Sequence, residues 1–382
     1  MYKVSSYGKM IADSGRMDPY VNAMRAAIKP GSVVMDLGCG PGVFAMLACE
    51  MGARRVYAVE PSSMIQVARD AAAANGLSER IEFFHNFSTR ISLPEPADVI
   101  VSDLHGPLPW HEQHIPSIRD VRQRLLAKDG VLIPQRDIVW AAIAEVPEEF
   151  EELVGPWEDK RYGIDLSVGR ALVTNGWIKT MIKPENLLME PKHLQTLDYH
   201  QIENANLNAA ISFTVERAGT AHALAVWFDS ELFNGFSFSN SPSSPELIYG
   251  NSLFLFPEGF AVAAGDQIEA KLTAHLIRSE YIWSWEARIL DQGHPERCIA
   301  DFKQSSFLGS PIAADEMKKR AVNHTPSLTQ IGQIQKFVFP MMDGTTSIET
   351  IAGKLAAQFP NWFPDYDSAL AYVAQLSTDY GQ

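Results

Sequence analysis

The sequence predicts an α/β protein built from a doubly wound parallel sheet, an antiparallel β domain and a small helical domain. Three observations predict this fold. Strand and helix patterns alternate up to Pro134, runs of β-branched and aromatic residues separated by turns follow from Arg136, and apolar residues recur at helical spacing in the last sixty or so residues. We predict domain boundaries of 1–135, 136–315 and 316–382.

The first segment reads as a Rossmann-like domain because each short apolar strand is followed by a helical pattern. Gly76 is placed to end the second of these helices, and Ser62 or Ser63 to cap its start. The predicted strands are Ser32–Leu37, Arg55–Glu60, Ile81–His85 and Asp98–Ser102, and the predicted helices are Phe44–Met51, Pro61–Asn75 and Ile115–Ala127.

The second segment predicts an antiparallel sandwich or β-barrel, and the third predicts a winged-helix-like unit. Turn-rich stretches, such as the one at Phe233-Asn-Gly, separate the strands. The predicted strands include Ala209–Glu216, His222–Asp229, Ser252–Phe256 and Gln267–Ile277, and the C-terminal helices carry Ile348, Ile351, Ala352 and Leu355, then Leu370, Val373 and Leu376.

The composition limits the classes of partner and the compartment. Asp and Glu number 46 against 32 Lys and Arg, so the net charge is −14, which disfavours nucleic acid and anionic membranes and favours a cationic ligand. The three cysteines show no paired or metal-like spacing, and the N-terminus has no apolar signal segment. We therefore expect a cytoplasmic protein with a basic ligand, without nucleic-acid or membrane partners.

A glycine-rich turn follows the first predicted strand. Gly38, Gly40 and Gly42 stand between that strand and the next helix. Glycine permits a positive φ and the close approach of a ligand to bare backbone, and the helix start supplies oriented N–H groups. The turn predicts a nucleotide-like ligand.

Two carboxylates narrow the identity of this ligand. Asp36 precedes the first glycine and could accept a hydrogen bond from an ammonium group or order the loop. Glu60 ends the second strand, where a carboxylate can accept both ribose hydroxyls. Asp-Leu-Gly-Cys-Gly-Pro-Gly followed by Val-Tyr-Ala-Val-Glu resembles the first two motifs of class I methyltransferases, which implies S-adenosyl-L-methionine as cofactor, and NAD is the alternative.

Three further residues are expected beside the adenine. They follow the third strand, and ligands of this fold bind at the carboxyl ends of strands. The predicted adenine-side residues are Asn86, Phe87 and Ser88.

An acidic loop follows the fourth strand. Asp103 ends the strand and Glu112 lies nine residues further on, across a loop that contains Pro107 and Pro109. Two carboxylates at a cofactor cleft could hold a guanidinium group. They could instead raise each other's pKa and provide a general base for an amine or imidazole. We predict that both acids are catalytic.

These residues resemble those of the protein arginine methyltransferases. Tyr7-Gly-Lys-Met-Ile-Ala-Asp-Ser-Gly-Arg-Met-Asp-Pro-Tyr is similar to the N-terminal signature of that family, and Ser-Asp-Leu-His-Gly with Glu112 is similar to its double-glutamate loop. The resemblance implies that Arg16 binds the carboxylate of the cofactor and that Met10 lies beside it. It covers residues 5 to 290, and it implies a dimer formed through an arm near Val168–Pro184.

Two departures leave the acceptor open. Asp103 stands where the family has glutamate, and Tyr249 stands near the position of the tryptophan in the family's Thr-His-Trp loop, with no histidine beside it. We expect an N-methyltransferase acting on a guanidinium or another nitrogen of a peptide or amino acid. The alternatives are a methyltransferase for histidine or another small-molecule or peptide nitrogen in natural-product biosynthesis, and a non-catalytic cofactor-binding scaffold.

Histidines crowd the acidic loop. We predict that His105 and His111 shape the substrate pocket together with Tyr249. A metal site formed by these histidines is the alternative, but methyl transfer to nitrogen needs no metal, so we predict none.

The C-terminal segment lies outside the resemblance to arginine methyltransferases. Asp343-Gly-Thr-Thr-Ser-Ile-Glu-Thr-Ile-Ala-Gly-Lys-Leu followed by Phe359-Pro is similar to small peptide-binding units of the PqqD type. This similarity implies that the unit binds a precursor peptide, and a generic helical cap is the alternative.

Overall fold

The first part of the chain forms a five-stranded, fully parallel sheet in the order β3-β2-β1-β4-β5. The computed structural model describes residues 3–294 and 297–381. All five residues of the first strand are buried, as expected for a strand covered on both faces. The strands are β1 (Val33–Leu37), β2 (Arg55–Val59), β3 (Ile81–Phe84), β4 (Ala97–Ser102) and β5 (Leu126–Ile133).

Five helices accompany this sheet, and their boundaries follow local signals in the sequence. Gly76, at φ +69°, ends the fourth helix as predicted, and Asp13 caps the second by accepting a hydrogen bond from the Arg16 N–H. The helices are α1 (Val4–Ala12), α2 (Ser14–Ala27), α3 (Val43–Glu50), α4 (Met64–Ala74) and α5 (His114–Arg124).

The strand register places the ligand-binding edge. Leu37, the last residue of β1, is paired with Val59 on one side and Ser102 on the other. Gly38, Glu60 and Asp103 therefore leave the sheet at the same level. The chain order changes direction between β1 and β4, and this switch point is where open α/β sheets bind ligands.

Two antiparallel sheets follow. One has the order β7-β12-β10-β6-β8 with β11 paired to β10, and the other has the order β15-β14-β13-β9. Their elements are β6 (Arg136–Ala144), α6 (Pro147–Glu158), α7 (Val168–Thr174), β7 (Trp177–Thr180), β8 (Lys192–Asp198), β9 (Leu207–Thr214), β10 (Gly219–Phe233), β11 (Phe236–Ser239), β12 (Asn251–Val262), β13 (Gln267–Ile277), β14 (Glu280–Leu290) and β15 (Cys298–Ser305).

Aromatic side chains join these two sheets. Phe254 on β12 lies 5.0 Å from Trp283 and 5.4 Å from Trp285, both on β14, between ring centroids. The Trp285 indole N–H donates to the backbone carbonyl of Leu255 at 2.8 Å, so its polar atom is satisfied inside the core. The predicted parallel-sheet domain and antiparallel domain are confirmed.

The C-terminal unit is helical in the residues that are described. Ser347 and Asp365 each cap a helix by accepting an N–H three residues ahead, at 3.2 and 2.7 Å. Ile351, Leu355 and Val373 are buried in its own core, as their spacing predicted. The helices are α8 (Ala314–Arg320), α9 (Gln330–Val338), α10 (Ile348–Gln358) and α11 (Tyr366–Tyr380).

The chain divides into two compact units, with the boundary between Pro311 and Ile312. Within the first unit the sheet changes from parallel to antiparallel between Ile133 and Arg136. The division into three domains stays a prediction.

The glycine loop yields a prediction about stability. Gly42 has φ +80°, and an added Cβ would lie 2.9 Å from the Cβ of Ala68. Gly76 also has a positive φ, but an added Cβ there would meet nothing within 4 Å. We expect Gly76→Ala to cost ~1–2 kcal/mol from backbone strain alone, and Gly42→Ala to cost clearly more. Denaturant unfolding of both variants measures the difference, and equal losses would show that the Ala68 contact is relieved without cost.

Candidate active site

A cavity of about 520 Å³ opens at the carboxyl edge of the parallel sheet. Most residues predicted from the sequence for the cofactor and the acceptor line it, whereas Asp36, Gly40 and Gly42 do not. The predicted residues that line the cavity are Met10, Arg16, Gly38, Glu60, Asn86, Phe87, Ser88, Asp103, His105, His111, Glu112 and Tyr249.

Asp36 orders the glycine loop. Its carboxylate accepts the backbone N–H of Ala45, near the start of α3, at 2.8 Å. Burial raises the pKa of Asp36 to about 7, against the effect of this hydrogen bond. The sequence left two roles open for Asp36, and this hydrogen bond matches the second of them, the ordering of the loop. Gly38, Gly40 and Gly42 all have positive φ, as the turn requires.

Glu60 lies at the wall of the cavity, directly after β2. One carboxylate oxygen accepts the Gly40 N–H at 3.0 Å, and the other accepts the Ser62 N–H at 2.8 Å. A carboxylate has about four acceptor positions. Glu60 is therefore fixed by backbone donors and retains lone pairs that could accept hydroxyl groups.

Arg16 and Asp103 form a buried ion pair beside Glu60. The Arg16 guanidinium donates from Nε and Nη2 to the Asp103 carboxylate, and Nη1 donates to the Met10 carbonyl at 3.1 Å. It also lies over the rings of Tyr20 and Phe44, 5.7 and 5.6 Å from their centroids. The neighbouring carboxylate holds the pKa of Arg16 above its usual range despite burial.

Asp103 accepts from two further side chains. The Tyr249 hydroxyl lies 2.8 Å from both carboxylate oxygens, and His105 Nδ1 lies 3.2 Å from Oδ1. Burial acts against ionisation of Asp103, but Arg16 and His105 outweigh it and hold its pKa below the usual range. Asp103 is therefore an ionised carboxylate surrounded by donors.

His105 bridges two buried carboxylates. Its Nε2 lies 2.7 Å from Asp137 Oδ2, on β6, and Asp137 also accepts from the Tyr199 hydroxyl. Burial lowers the pKa of His105, but the two acids outweigh it and raise the value to about 9. His105 is thus an imidazolium that donates from both nitrogens. Sequence reasoning missed Asp137 and Tyr199, which lie on later strands and turns with no motif around them.

Glu112 occupies a different environment from Asp103. It is exposed, lines the cavity and has φ +42°, a strained value for a residue other than glycine. His111, beside it, packs over Gly106 and hydrogen bonds to the backbone of Leu104. The two predicted catalytic acids share the cavity, but only Glu112 is exposed.

His114 is a cavity residue that the prediction did not include. It is buried at the first position of α5, and its Nδ1 lies 2.9 Å from the Pro109 carbonyl. Burial, followed by the charge of His105, lowers its pKa to about 3, so the ring is neutral. The sequence places three histidines in the loop, but it does not show which of them are buried.

Within residues 3–294 and 297–381, no group of three or more His, Cys, Asp or Glu side chains is arranged to hold a metal ion. None of the helices in those ranges has the length and apolar character needed to cross a membrane.

Two family models match separate parts of the chain. Residues 20–120 match the ribosomal protein L11 methyltransferase model, and residues 136–287 match the arginine methyltransferase oligomerization subdomain. Neither range reaches the C-terminal helical unit.

Full-length relatives agree with these matches. The probable protein arginine N-methyltransferase 6 of Arabidopsis thaliana is 29% identical over 63% of this chain and 56% of its own length. Protein arginine N-methyltransferase 6 of Xenopus tropicalis is 28% identical over 71% of this chain and 83% of its own. The chain thus spans little more than half of the Arabidopsis protein.

Solved structures share the fold. The Trypanosoma brucei PRMT1 enzyme-prozyme complex with AdoHcy aligns with a TM-score of 0.71 and 20% identity, over 78% of this chain and 96% of the other. Arabidopsis thaliana protein arginine methyltransferase 10 aligns with a TM-score of 0.68 and 23% identity, over 79% and 97%. In these comparisons the chain is similar to protein arginine methyltransferases in sequence and in fold.

The doubly paired His105 predicts a pH-dependent stability. Its pKa of about 9 in the fold exceeds the unfolded value near 6.5, so its stabilising contribution is complete below pH 6.5 and is lost as pH rises through 9. We expect a loss of roughly 3 kcal/mol over this range that His105→Gln does not show. Unfolding free energies of both proteins from pH 6 to 10 measure it. Parallel curves would mean that His105 is neutral in the fold.

Proposed function

We propose that the protein transfers a methyl group to a guanidinium nitrogen of a peptide or amino acid. The observation that carries this proposal is that one cavity is lined by Glu60 and Arg16 at one part and by the exposed acid Glu112 at another. A single space can then hold the methyl donor and the acceptor together, as direct transfer between them requires.

The cavity residues fit the cofactor. Glu60 has acceptor capacity for ribose hydroxyls, Arg16 carries a cation for the carboxylate of the methionine moiety, and Asn86, Phe87 and Ser88 are assigned to the adenine. When bound, S-adenosylmethionine supplies a methyl group attached to a sulfonium sulfur. The sulfur is a good leaving group because it departs as a neutral sulfide. The protein's own task is to align the acceptor lone pair with that methyl and to exclude water.

Glu112 would perform the acceptor side of this task. Its carboxylate can orient a cationic N–H group, and it can act as the base that accepts the proton that the nitrogen must release after the new N–C bond has formed. Asp103 would instead position Arg16 and Tyr249, because both side chains already donate hydrogen bonds to its carboxylate.

Lys179, a further cationic side chain at the cavity, favours a second candidate for the methyl acceptor. Lys179 lines the cavity, and its amine donates to the Ile248 carbonyl in the loop that carries Tyr249. The charge of a lysine opposes a second cation nearby. The neutral imidazole of a histidine substrate, in a peptide or as a natural-product precursor, is therefore the alternative acceptor. A non-catalytic scaffold remains the other alternative.

Labelled methyl transfer tests these acceptors directly. The protein is incubated with methyl-labelled S-adenosylmethionine and, separately, with Gly-Arg-Gly, Gly-His-Gly, free arginine, free histidine or a peptide encoded beside the gene. Transfer to the arginine probes supports the proposal, and transfer only to the histidine probes supports the alternative. Tight cofactor binding without transfer to any probe would support the scaffold and overturn the proposed activity.

Replacement of the exposed acid provides the matching variant. We expect Glu112→Gln to lower kcat roughly 10²- to 10³-fold, because the charge that offsets the acceptor is lost, while binding of S-adenosylhomocysteine stays near the wild-type value. Glu79→Gln, at an exposed glutamate outside the cavity, is the control and should change neither quantity. Loss of cofactor binding in Glu112→Gln would contradict the role given to this acid.

We also propose a homodimer, supported by an exposed apolar segment beside the predicted arm. Tyr162 is 91% exposed and Val168 is 82% exposed, and Ile164 and Leu166 between them are also exposed. We expect light scattering to give twice the 42.4 kDa chain mass and Val168→Asp to shift the mass toward one chain. A mass of one chain for the unaltered protein at working concentration would refute the dimer.

For the remaining partners, we propose that the C-terminal unit binds a precursor peptide and that the protein is cytoplasmic, without nucleic-acid or membrane partners. The unit's separate core, with Ile334, Ile351 and Leu376 among its members, supports a module with its own role. The unpaired cysteines support a reducing compartment.

A further inference from the structure

The hydrogen-bond donors around Asp103 limit which side chains can hold the methyl acceptor. Two nearby acids would suit a guanidinium, but this carboxylate already accepts from Arg16, His105 and Tyr249. A carboxylate has about four acceptor positions, and these side chains fill them. Asp103 therefore cannot also accept the methyl acceptor's N–H groups without breaking a buried ion pair.

Another buried acceptor lines the same cavity. His114 is 1% exposed, and its Nε2 has no hydrogen-bond partner among the described residues. The Pro109 carbonyl, 2.9 Å from Nδ1, can only accept, so the neutral ring carries its proton on Nδ1 and leaves a bare lone pair on Nε2. A buried acceptor without a donor is costly, so such an atom in a cavity points to a donor on the ligand.

The surroundings of His114 hold the ring in place. Its centroid lies 4.7 Å from that of His105, edge to face, and 5.2 Å from that of Tyr199. Both nitrogens of the His105 imidazolium are directed at carboxylates, so His105 has no N–H left to donate to His114. Glu112, two residues before His114, belongs to the same turn into α5.

We propose that Glu112 and His114 together hold the methyl-acceptor group, with His114 Nε2 accepting one of its N–H bonds in the place that the sequence assigned to Asp103. The inference rests on the proposed function and deepens it. The pair combines one negative charge with one neutral acceptor. It selects a nitrogen group that has at least one N–H bond, and it rejects acceptors without an N–H donor.

Two substitutions separate the two nitrogens of His114. The amide nitrogen of asparagine matches Nδ1, so His114→Asn keeps the donor to Pro109 and removes the acceptor. The amide of glutamine reaches the position of Nε2, so His114→Gln keeps an acceptor there and removes the Pro109 contact. We expect His114→Asn to lower kcat/KM for Gly-Arg-Gly or Gly-His-Gly roughly 10- to 100-fold, with S-adenosylhomocysteine binding unchanged, and His114→Gln to retain most activity. Equal losses in both variants, or no loss in His114→Asn, would overturn the proposal.

A binding measurement keeps this test independent of turnover. In protein with ¹⁵N-labelled histidines, saturated with S-adenosylhomocysteine, addition of Gly-Arg-Gly or Gly-His-Gly should move the His114 Nε2 resonance toward that of a hydrogen-bonded nitrogen. The resonance is assigned by its loss in His114→Gln. If the probes bind, as measured by calorimetry, without this shift, or if neither probe binds, the proposal is overturned. A shift without methyl transfer by the wild type would retain the His114 contact and reject the proposed activity.

Discussion

The carboxylate of Asp103 is the interaction on which the rest of the site depends. It is buried between two cations, Arg16 and His105, and each would be costly in the interior without a charge of opposite sign. Asp137 supplies the second negative charge on the far side of His105. These four groups balance in charge, and they connect α2, the end of β4 and β6. Arg16, at the wall of the cavity, is thereby joined to the antiparallel sheets through one buried network.

The residues that depart from the resemblance to arginine methyltransferases belong to this network. Asp103 and Tyr249, the two departures, contribute together with His105 to the same set of hydrogen bonds. Asp137 without His105 would be a buried carboxylate paired only with the Tyr199 hydroxyl. Asp103, His105 and Asp137 are therefore coupled, and replacement of one of them changes the electrostatic environment of the others.

Local signals in the sequence predicted most of the fold, and most of the residues predicted for the site line one cavity. The strand after Ser32 and the helix ending near Gly76 follow from apolar spacing and glycine, and β13 was predicted with its observed bounds, Gln267–Ile277. Glu60 could be assigned because the ends of parallel strands meet at one edge. The partners Asp137 and Tyr199 could not, because their contacts join residues 32 and 62 positions apart through tertiary packing and follow no periodic pattern. For the same reason the sequence could not separate a saturated Asp103 from an exposed Glu112.

The backbone conformation at Glu112 links the position of its side chain in the cavity to the start of α5. A positive φ at a glutamate costs ~1 kcal/mol or more, and it persists only where neighbouring contacts hold it. His111 hydrogen bonds to Leu104 before the turn, and His114 hydrogen bonds to Pro109 after it, so the loop is fixed on both sides of the strained residue. A relaxation of Glu112 would therefore also move His114. This shared constraint lets one short turn determine the positions of the Glu112 and His114 side chains at the wall of the cavity.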